Sequence, residues 1–424
     1  MKSDKSIKII KKEVNDYCKN NFTNDFNLKK PLIKLHEPTF GSEEINGAID
    51  VLLSRNITMG EKVIKFENLF SKKFAYKKSV SCNSGSSANL LAISALTNLN
   101  IQNRLEPGDE VLVSALSWST TIWPLIQCGL IPVIIDINSN TLNLDENLIE
   151  KSISKKTKAI MPVHVYGNPC NMDEILRIKK KYDLLLIEDC CEAMGAKYKD
   201  KTIGSFGDVG TFSFYFSHHI TTLEGGMCVT NNIDLSERMK ILRAHGWLRD
   251  IDYPEKFNSF EIDKNFTFVD LGYNFRITEL QGDFGIKQLA KFDRILKKRK
   301  KVFWGWKKIF DEYSDLFLIQ QEQKNGESSF FGFAITLKKN CSFKVNDIRK
   351  FFQINGIETR PIICGNIALQ PAMKNYEHRI FRKLINSSYV MDNSFSIGCH
   401  QNITVNAQNY LKIILKKFLN NYLK

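Results

Sequence analysis

Short β-rich segments alternate with helical patterns from about residue 39 to residue 290, and this alternation constrains the fold more than any other feature. The helical patterns include residues 87–99, 120–127 and 172–181. Regular alternation of strands and helices favours a mainly parallel sheet covered by helices on both faces, so the predicted fold class is α/β. The predicted strands lie at residues 79–82, 110–114, 131–136, 159–163, 184–188, 209–214 and 226–230.

The 424 residues are enough for more than one domain, and the pattern changes near residue 295. Residues 1–35 form a polar, Lys-rich lead-in, and residues 36–295 are predicted to form a large α/β domain. A long helical pattern at 278–308 is followed by a new strand at 331–337 and a new helix at 346–355. We therefore expect residues 296–424 to form a smaller C-terminal α/β domain.

Composition and charge exclude several classes of protein. A hydrophobic fraction of 43% with 25% charged residues is typical of a globular chain. No apolar run approaches the ~18 residues of a membrane span, and the first residues lack a signal-peptide core, so we expect a cytoplasmic protein without a membrane partner. The net charge of +14 comes mainly from residues 2–34 and 297–301. No nucleic-acid-binding motif accompanies these lysines, so we expect no nucleic-acid partner.

The ten cysteines follow no pattern that is typical of a disulfide framework or of a metal centre. They include no CxxC pair and no zinc-like pairing with histidine. In a large chain of this composition most of them are expected to be small buried hydrophobic residues. The sequence therefore predicts no metal site.

Four candidate segments reach the ends of predicted strands, at residues 81–89, 114–121, 184–189 and 212–226, and the third is an apolar strand that ends in two carboxylates. Ligands of open α/β sheets gather at the carboxyl ends of the strands. Gly85 and Ser86 could open a helix as a phosphate cradle, or serve only as turn and cap residues. Trp118 could stack on a flat cofactor ring or belong to the core. Asp189 could pair with a ring nitrogen or cap a helix.

Together these segments resemble the sugar aminotransferase (DegT/DnrJ/EryC1/StrS) family of pyridoxal-phosphate fold type I enzymes, over residues 33–420. The resemblance implies an aspartate-aminotransferase-like fold. In this family a lysine six residues before the glutamate of a Glu-Gly-Gly motif binds the cofactor as a Schiff base. Here the motif is Glu224-Gly225-Gly226 and His218 stands at the lysine position. No lysine occurs from Thr202 to Met239.

A histidine at this place, followed by a second histidine and Ile220, is similar to the branch of sugar 3-dehydratases that work with pyridoxamine phosphate. Residues 117–121, 188–195, 243–247 and 272–274 also match that branch. The resemblance implies removal of the C3 hydroxyl from a nucleotide-linked 4-keto-6-deoxyhexose, with GDP as the favoured nucleotide. It also implies glutamate as the amino donor that restores pyridoxamine phosphate, and dideoxysugar supply for a surface polysaccharide.

The chemistry of histidine agrees with this branch. An imidazole cannot form a stable Schiff base, so pyridoxal or pyridoxamine 5′-phosphate must be held noncovalently. Dehydration needs a base, and an unperturbed histidine with a pKa of about 6.5 suits that task better than a lysine near ~10.4. His218 is therefore the predicted catalytic base, with a buried structural histidine as the alternative. His219 is given no role.

The resemblance also assigns the residues that hold the cofactor. Trp118 is expected to stack on the ring, Asp189 to pair with its nitrogen, and Glu192 to lie near its 3′-oxygen. Asn274 is expected to reach the phosphate bound by the neighbouring subunit, which implies a homodimer with a shared active site. The residues expected around the phosphate of the same subunit are Gly85, Ser86 and Ser213.

Two other functions stay open. The first is a conventional nucleotide-sugar aminotransferase in which another lysine serves, although none of the lysines before the relevant strand occupies the matching position. The second is a non-catalytic nucleotide-sugar binding protein, against which the presence of Asp189, Trp118 and the phosphate cradle argues. The lysines considered for the first alternative are Lys197, Lys199 and Lys201.

A related branch of the family binds a [2Fe–2S] cluster, which needs four thiolates. Cys191 could align with the first of them. Residues 251–258 contain no cysteine, however, and the next cysteine after Cys228 is Cys341. We therefore expect no iron–sulfur cluster and no need for an external reductant.

Overall fold

The computed structural model describes residues 2–22, 26–99, 101, 103–249, 251 and 263–422. This part of the chain contains one eight-stranded sheet and two three-stranded sheets. The strands are β1 Lys78–Cys82, β2 Glu110–Ser114, β3 Ile131–Ile135, β4 Thr157–Met161, β5 Leu185–Asp189, β6 Lys197–Tyr198, β7 Lys201–Thr202, β8 Val209–Ser213, β9 Gly226–Thr230, β10 Phe317–Ile319, β11 Gly326–Glu327, β12 Phe333–Leu337, β13 Arg379–Ile380 and β14 Ser394–Ile397.

Helices flank these strands along the whole chain. In order they are α1 Lys2–Asn21, α2 Ser42–Ser54, α3 Glu61–Phe74, α4 Gly85–Leu96, α5 Ser119–Gln127, α6 Glu146–Ser152, α7 Met172–Tyr182, α8 Ile233–Arg243, α9 Glu279–Asp311, α10 Val345–Ile354, α11 Ile385–Asn393 and α12 Val405–Tyr422. The predicted alternation of strands and helices is therefore present. The largest shift of a predicted strand boundary is two residues, at both ends of β4 and at the start of β12.

The eight strands of the large sheet run in the order β1-β9-β8-β5-β4-β2-β3-β13. Neighbouring strands are parallel except for the pairs that β9 makes with β1 and β8, which are antiparallel. The predicted mainly parallel α/β sheet is thus confirmed. Because parallel strands end at the same edge, the segments that follow β1, β5 and β8 are brought together there.

Helices cover both faces of the large sheet because successive side chains of a strand point to opposite faces. In β2, Leu112 packs on one face in the cluster that contains Phe70 of α3. Its neighbours Val111 and Val113 pack on the other face in the cluster that contains Leu91 of α4. These side chains are fully buried, and each such burial stabilises the fold by about 1.5–3 kcal/mol.

The long helix α9 begins at Thr278, whose side-chain oxygen accepts a hydrogen bond from the backbone N–H of Gln281. Its later turns pack through Trp306 against the antiparallel sheet β10-β12-β14, together with α10 and α12. The chain then returns to the large sheet, where β13 lies parallel to β3. The predicted domain division between residues 295 and 296 falls inside α9 and stays a prediction.

The lead-in contains a helix of 20 residues, α1. It packs on α2, with which it makes two polar contacts, and its Cys18 is buried. Lys11 Nζ donates to Asp50 at 2.8 Å, and Asn46 Nδ2 donates to Asn15 Oδ1 at 2.9 Å. None of the described helices is long and apolar enough to cross a membrane.

Candidate active site

A cavity of about 480 Å³ opens at the edge of the large sheet where β1, β5 and β8 end. It is lined by seven of the eight residues that the sequence analysis assigned to the site, and Asn274 is the exception. The seven residues that the structure brings together are Gly85, Ser86, Trp118, Asp189, Glu192, Ser213 and His218.

The start of α4 forms one end of the cavity. Ser84 caps the helix, with its Oγ accepting from the backbone N–H of Ser87 at 3.0 Å. The first amides of a helix have no partner within it and attract an anion. A Cβ atom at Gly85 would lie 2.5 Å from the Cβ of Ser213, so only glycine lets the hydroxyl of Ser213 approach these amides. Ser86 Oγ donates to Thr120 Oγ1 at 3.0 Å.

The last residue of the Glu-Gly-Gly motif must be a glycine for steric reasons. Gly226 begins β9 and passes directly beside the loop after β1. A Cβ atom there would lie 2.2 Å from the backbone oxygen of Ser84, a distance that real contacts do not reach. The absence of a side chain at Gly226 therefore keeps the cap of α4, and with it the anion-binding end of the cavity, in place.

Asp189 ends β5 and is buried, with its carboxylate aimed into the cavity. Its Oδ2 accepts from Asn89 Nδ2 at 3.0 Å and from Thr121 Oγ1 at 2.8 Å. Its Oδ1 accepts from the backbone N–H of Cys191 at 3.1 Å. Three donors thus fix the orientation of this carboxylate. The sequence analysis missed Asn89 and Thr121, although both lie on the helices that follow the predicted strand ends.

Trp118 precedes α5 and is 57% exposed, so it is not a core tryptophan. Its ring lines the cavity together with the apolar side chain of Val163. Such an exposed aromatic face next to a polar cavity is suited to stacking on a flat ring. Val163 was not assigned to the site, because a valine at the end of a strand gives no signal of its own.

His218 lines the cavity between aromatic side chains. Its ring centre lies 5.0 Å from that of Phe331 and 6.1 Å from that of Tyr215. Burial, helped by the positive charges of Arg360 and Arg299, lowers the pKa of His218 to about 3. Its Nδ1 is buried without a hydrogen-bond partner. The imidazole is therefore neutral at pH 7 and able to accept a proton.

No lysine is among the described residues that line the cavity. Lys197, Lys199 and Lys201, which were considered as replacements for the missing lysine, belong to the β6–β7 hairpin or its turn. Lys199 is paired there with Asp173 at 2.8 Å. These lysines do not reach the cavity, and the described part of the chain therefore offers no lysine amine there for a covalent bond to a cofactor.

Arg360 lines the cavity and was not predicted. Its guanidinium carbon lies 5.8 Å from the ring centres of both Tyr166 and Phe331. Glu192 lies across from it, with Oε2 accepting from the backbone N–H of Tyr166 at 2.9 Å. Burial raises the pKa of Glu192 to about 7 although Arg360 opposes the rise. The only sequence signal for Arg360 was an arginine placed beside the apolar Ile362 and Ile363.

His164, in the loop after β4, is fully buried outside the cavity lining. It forms a buried group with Glu188 and Cys190 that has the spacing of metal ligands. Both oxygens of Glu188 already accept backbone N–H groups, those of Gly204, Phe206 and Gly207. His164 Nδ1 accepts from the N–H of Cys170 at 3.0 Å. We infer that this group holds the end of β5 in place.

Asn274 lies on the exposed surface outside the cavity, where its Oδ1 accepts from Arg276 Nε at 3.2 Å. Its assignment to a neighbouring subunit stays a prediction. The ten cysteines are all free thiols, and Cys191 lies in the cavity wall. Most of the segment 251–258, on which the expectation of no iron–sulfur cluster rests, lies outside the described residues.

The cavity residues fit pyridoxal or pyridoxamine phosphate. A helix N-terminus with a neighbouring serine hydroxyl suits the phosphate, and an exposed indole suits the flat ring. A carboxylate fixed by three donors suits a protonated ring nitrogen. Since the cavity has no lysine among its described residues, the cofactor would be held by these noncovalent contacts.

A family model described as the DegT/DnrJ/EryC1/StrS aminotransferase family matches residues 38–415. The chain is 38% identical over 387 residues to GDP-4-keto-6-deoxy-D-mannose 3-dehydratase of Escherichia coli O55:H7, covering 90% of this chain and 99% of the relative. Two crystal structures of GDP-4-keto-6-deoxymannose-3-dehydratase are 37% identical and cover 90% of this chain and 100% of theirs. One, a histidine-to-asparagine variant with bound GDP-perosamine, has a TM-score of 0.85. The other, with a trapped PLP-glutamate geminal diamine, has a TM-score of 0.86.

Proposed function

The chain belongs to the DegT/DnrJ/EryC1/StrS aminotransferase family, and we propose that within it the protein is a dehydratase dependent on pyridoxal and pyridoxamine phosphate. It removes the C3 hydroxyl of a nucleotide-linked 4-keto-6-deoxyhexose and yields the 4-keto-3,6-dideoxy sugar. Glutamate restores the amine form of the cofactor. The observation that carries this proposal is a cavity lined by residues suited to the cofactor, in which His218 stands where the family's aminotransferases have a lysine.

The substrate that we propose is GDP-4-keto-6-deoxy-D-mannose. The similarity to the Escherichia coli enzyme supports it, as does the GDP-linked sugar bound in one of the similar structures. The product would then supply colitose for a lipopolysaccharide O-antigen. Glutamate as the amino donor is supported by the adduct trapped in the other similar structure.

The active unit that we propose is a homodimer in which Asn274 completes the cavity of the partner. Three large apolar side chains near Asn274 in sequence are strongly exposed in the single chain, which supports a covered face here. They are Phe266 at 72%, Phe268 at 59% and Leu271 at 93%.

Each cavity residue is assigned a separate role in the reaction. When bound, pyridoxamine phosphate supplies an amine that reacts with the 4-keto group and a pyridinium ring that acts as an electron sink. Asp189 keeps the ring nitrogen protonated, since a carboxylate stabilises a positive charge beside it. The start of α4 and Ser213 bind the phosphate, and Trp118 fixes the plane of the ring.

His218 moves the proton. Since Nδ1 is buried, Nε2 is the ring nitrogen that can meet a ligand in the cavity. With the cofactor bound, Nε2 would be placed to take a proton from its C4′ carbon and to pass it to the C3 hydroxyl, which would leave as water. Arg360, the only arginine or lysine among the described lining residues, is assigned to anionic groups of the substrates.

The test is incubation of the purified protein with pyridoxal phosphate, glutamate and a panel of GDP-, CDP- and dTDP-linked 4-keto-6-deoxyhexoses, followed by NMR of the products. We expect a C3-deoxygenated sugar from the GDP substrate without added reductant. His218→Asn should still bind pyridoxamine phosphate but lose at least ~10²-fold in dehydration, as for a lost general base. A 4-amino sugar as the main product, or near wild-type dehydration by His218→Asn, would contradict the proposal.

A further inference from the structure

His219, the residue after His218, faces away from the cavity and is 1% exposed. Its Nε2 lies 3.0 Å from the backbone carbonyl oxygen of Ser329. A carbonyl oxygen can only accept a hydrogen bond, so Nε2 carries the proton of the ring. Burial and the charge of Arg299 lower the pKa of His219 well below its usual value, so the ring is neutral. His219 is therefore a fixed donor to a segment far along the chain.

That segment, residues 329–331, is called the strap here. It runs beside the loop that follows β4, where the N–H of Ser329 donates to Gly167 O at 3.0 Å and the N–H of Phe331 donates to Tyr166 O at 2.9 Å. Arg299 of α9 donates through Nη1 to Phe331 O at 3.2 Å. The strap is thus tied to two elements besides His219.

The middle residue of the strap is strained. Phe330 has a φ of 51°, in the left-handed region that a residue with a bulky side chain seldom adopts. Its ring stacks on Phe303 with a centre-to-centre distance of 4.0 Å. A strained residue persists only where its surroundings fix it. The hydrogen bonds of the strap are therefore needed to keep this conformation.

The strap ends at the cavity. The ring of Phe331 lines the cavity, with its centre 5.0 Å from His218 and 5.9 Å from His219. The guanidinium of Arg360 lies over the same phenyl ring. The position of the strap therefore decides how completely the ring of His218 is covered, and how close Arg360 stays to it.

We propose that His219 is a positioning residue, whose hydrogen bond to Ser329 holds the strap so that Phe331 covers the imidazole of His218. The proposal rests on the proposed function, in which His218 transfers the proton. His219 does not touch the substrates and acts through His218. The adjacent pair of histidines is then a functional unit, with one member in the cavity and the other behind it.

Loss of this bond has a defined effect on His218. The charged and titratable groups around His218 are Arg360, Arg299, Tyr215 and His219, together with those that line the same cavity, Asp189, Cys191, Glu192 and Glu224. Without the donor, the buried oxygen of Ser329 is unpaired, and the strap can relieve this only by moving toward water. His218 then becomes better hydrated, and its pKa rises toward the usual value of about 6.5. Its orientation also becomes less defined.

Three variants test the inference in the full-length protein. His219→Leu removes the donor, whereas His219→Gln keeps an N–H at a similar reach. His400→Leu is the matched control, because His400 is also buried and its Nε2 also meets a backbone oxygen, Lys34 O at 3.2 Å, away from the cavity. Histidine ring NMR of the cofactor-free protein gives the pKa of His218, which is identified by its missing signal in His218→Asn. Holoenzyme kinetics give kcat and KM against pH.

We expect His219→Leu to raise the pKa of His218 and to lower kcat by ~10- to ~100-fold, the cost of a displaced catalytic group, with KM and pyridoxamine phosphate affinity little changed. His219→Gln should restore most of kcat, and His400→Leu should leave the pKa of His218 unchanged. Phe331→Ala, which uncovers His218 with the His219 bond intact, should also raise that pKa. This variant serves if His219→Leu does not fold.

An unchanged His218 pKa and kcat in His219→Leu, or an unchanged pKa in Phe331→Ala, would overturn the inference. A His219→Gln variant as slow as His219→Leu would do so too, because a donor at that place would then not be what matters. A wild type that binds the cofactor but dehydrates no sugar would instead overturn the proposed function. The NMR titration would still decide the role of His219 in that case.

Discussion

At the scale of single residues, the cavity shifts the pKa values of two of its titrating side chains, His218 and Glu192, in opposite directions. Burial lowers the pKa of His218 to about 3 and raises that of Glu192 to about 7. Arg360 adds to the first shift and opposes the second. Between about pH 3 and about pH 7 both groups are therefore uncharged, one as a proton acceptor and one as a proton donor. Such divergence is typical of acid–base sites.

The raised pKa of Glu192 has a consequence for stability. Unfolded, this carboxyl loses its proton near ~4.3, whereas in the folded protein it keeps the proton up to about pH 7. The folded state thus binds more protons between these values, and its stability falls as pH rises through them. Glu192→Gln removes the titration, so the variant should gain ~1–3 kcal/mol over wild type between about pH 5 and about pH 8. Urea unfolding of both proteins measures this.

The control for that comparison is Glu13→Gln, at an exposed position of α1. Its unfolding free energy should follow that of the wild type at both pH values. If the unfolding free energies of Glu192→Gln and the wild type changed with pH in the same way, Glu192 would titrate in its ordinary range. The proposed place of Glu192 near the 3′-oxygen would then have no electrostatic support.

A lysine at the position of His218 should behave as it does in the aminotransferases of the family. The side chain would enter a buried site beside Arg360, where desolvation and a like charge lower the pKa of an amine. His218→Lys should therefore form a borohydride-reducible Schiff base with pyridoxal phosphate, and it should lose the dehydratase activity. Absorbance and the mass of the reduced peptide measure this, with His218→Asn as the unreactive control. No reducible adduct would place residue 218 out of reach of the cofactor.

At the scale of elements, the phosphate-binding end depends on how closely α4 and β8 approach each other. Gly85→Ala adds a Cβ that would lie 2.5 Å from the Cβ of Ser213 and 2.9 Å from its Oγ. The helix start and the strand end must then separate, so we expect affinity for pyridoxamine phosphate to fall by ~10-fold or more, about 1.4 kcal/mol. Gly41→Ala, before α2, has no atom within 4 Å of the new Cβ and is the control. Titration of ring absorbance gives both affinities.

The alternation of strands and helices was predictable because each element follows a local pattern of buried side chains. Other features depend on contacts between distant segments, and the local pattern carries no trace of them. The antiparallel insertion of β9 between β1 and β8 is one such feature. The burial of Arg299 within a Lys-rich run is another, since its three acceptors are the carbonyls of Phe330, Phe331 and Cys399.

The cavity shows the same limit. Seven residues assigned from the family resemblance line it, because they lie at or after the ends of strands that could be located from the sequence. Arg360 and Phe331 come from the C-terminal part of the chain and carry no motif, so only the packing of β12 and its neighbours reveals them. The roles of these residues stay proposals until the variants are measured.

At the scale of the whole molecule, the proposed homodimer predicts that each active site is formed by residues of two chains. Asn274 is exposed and outside the cavity of its own subunit. If it completes the partner's site, His218→Asn and Asn274→Ala should each be impaired as homodimers. A mixed dimer of the two variants would then contain one site with both native residues, because His218 and Asn274 of that site come from different chains.

Co-expression of the two variants with different affinity tags, followed by purification on both tags, isolates the mixed dimer. Its dehydration rate should recover toward half that of the wild type per dimer, since one of two sites is intact. If Asn274 instead served the cavity of its own chain, every site of the mixed dimer would carry one defect, and no activity would return. A mixture of the two separately purified homodimers, assayed before the subunits exchange, is the control. Recovered dehydration activity would therefore show that Asn274 acts in the site of the partner subunit. If no activity returned, each site would be formed by a single chain.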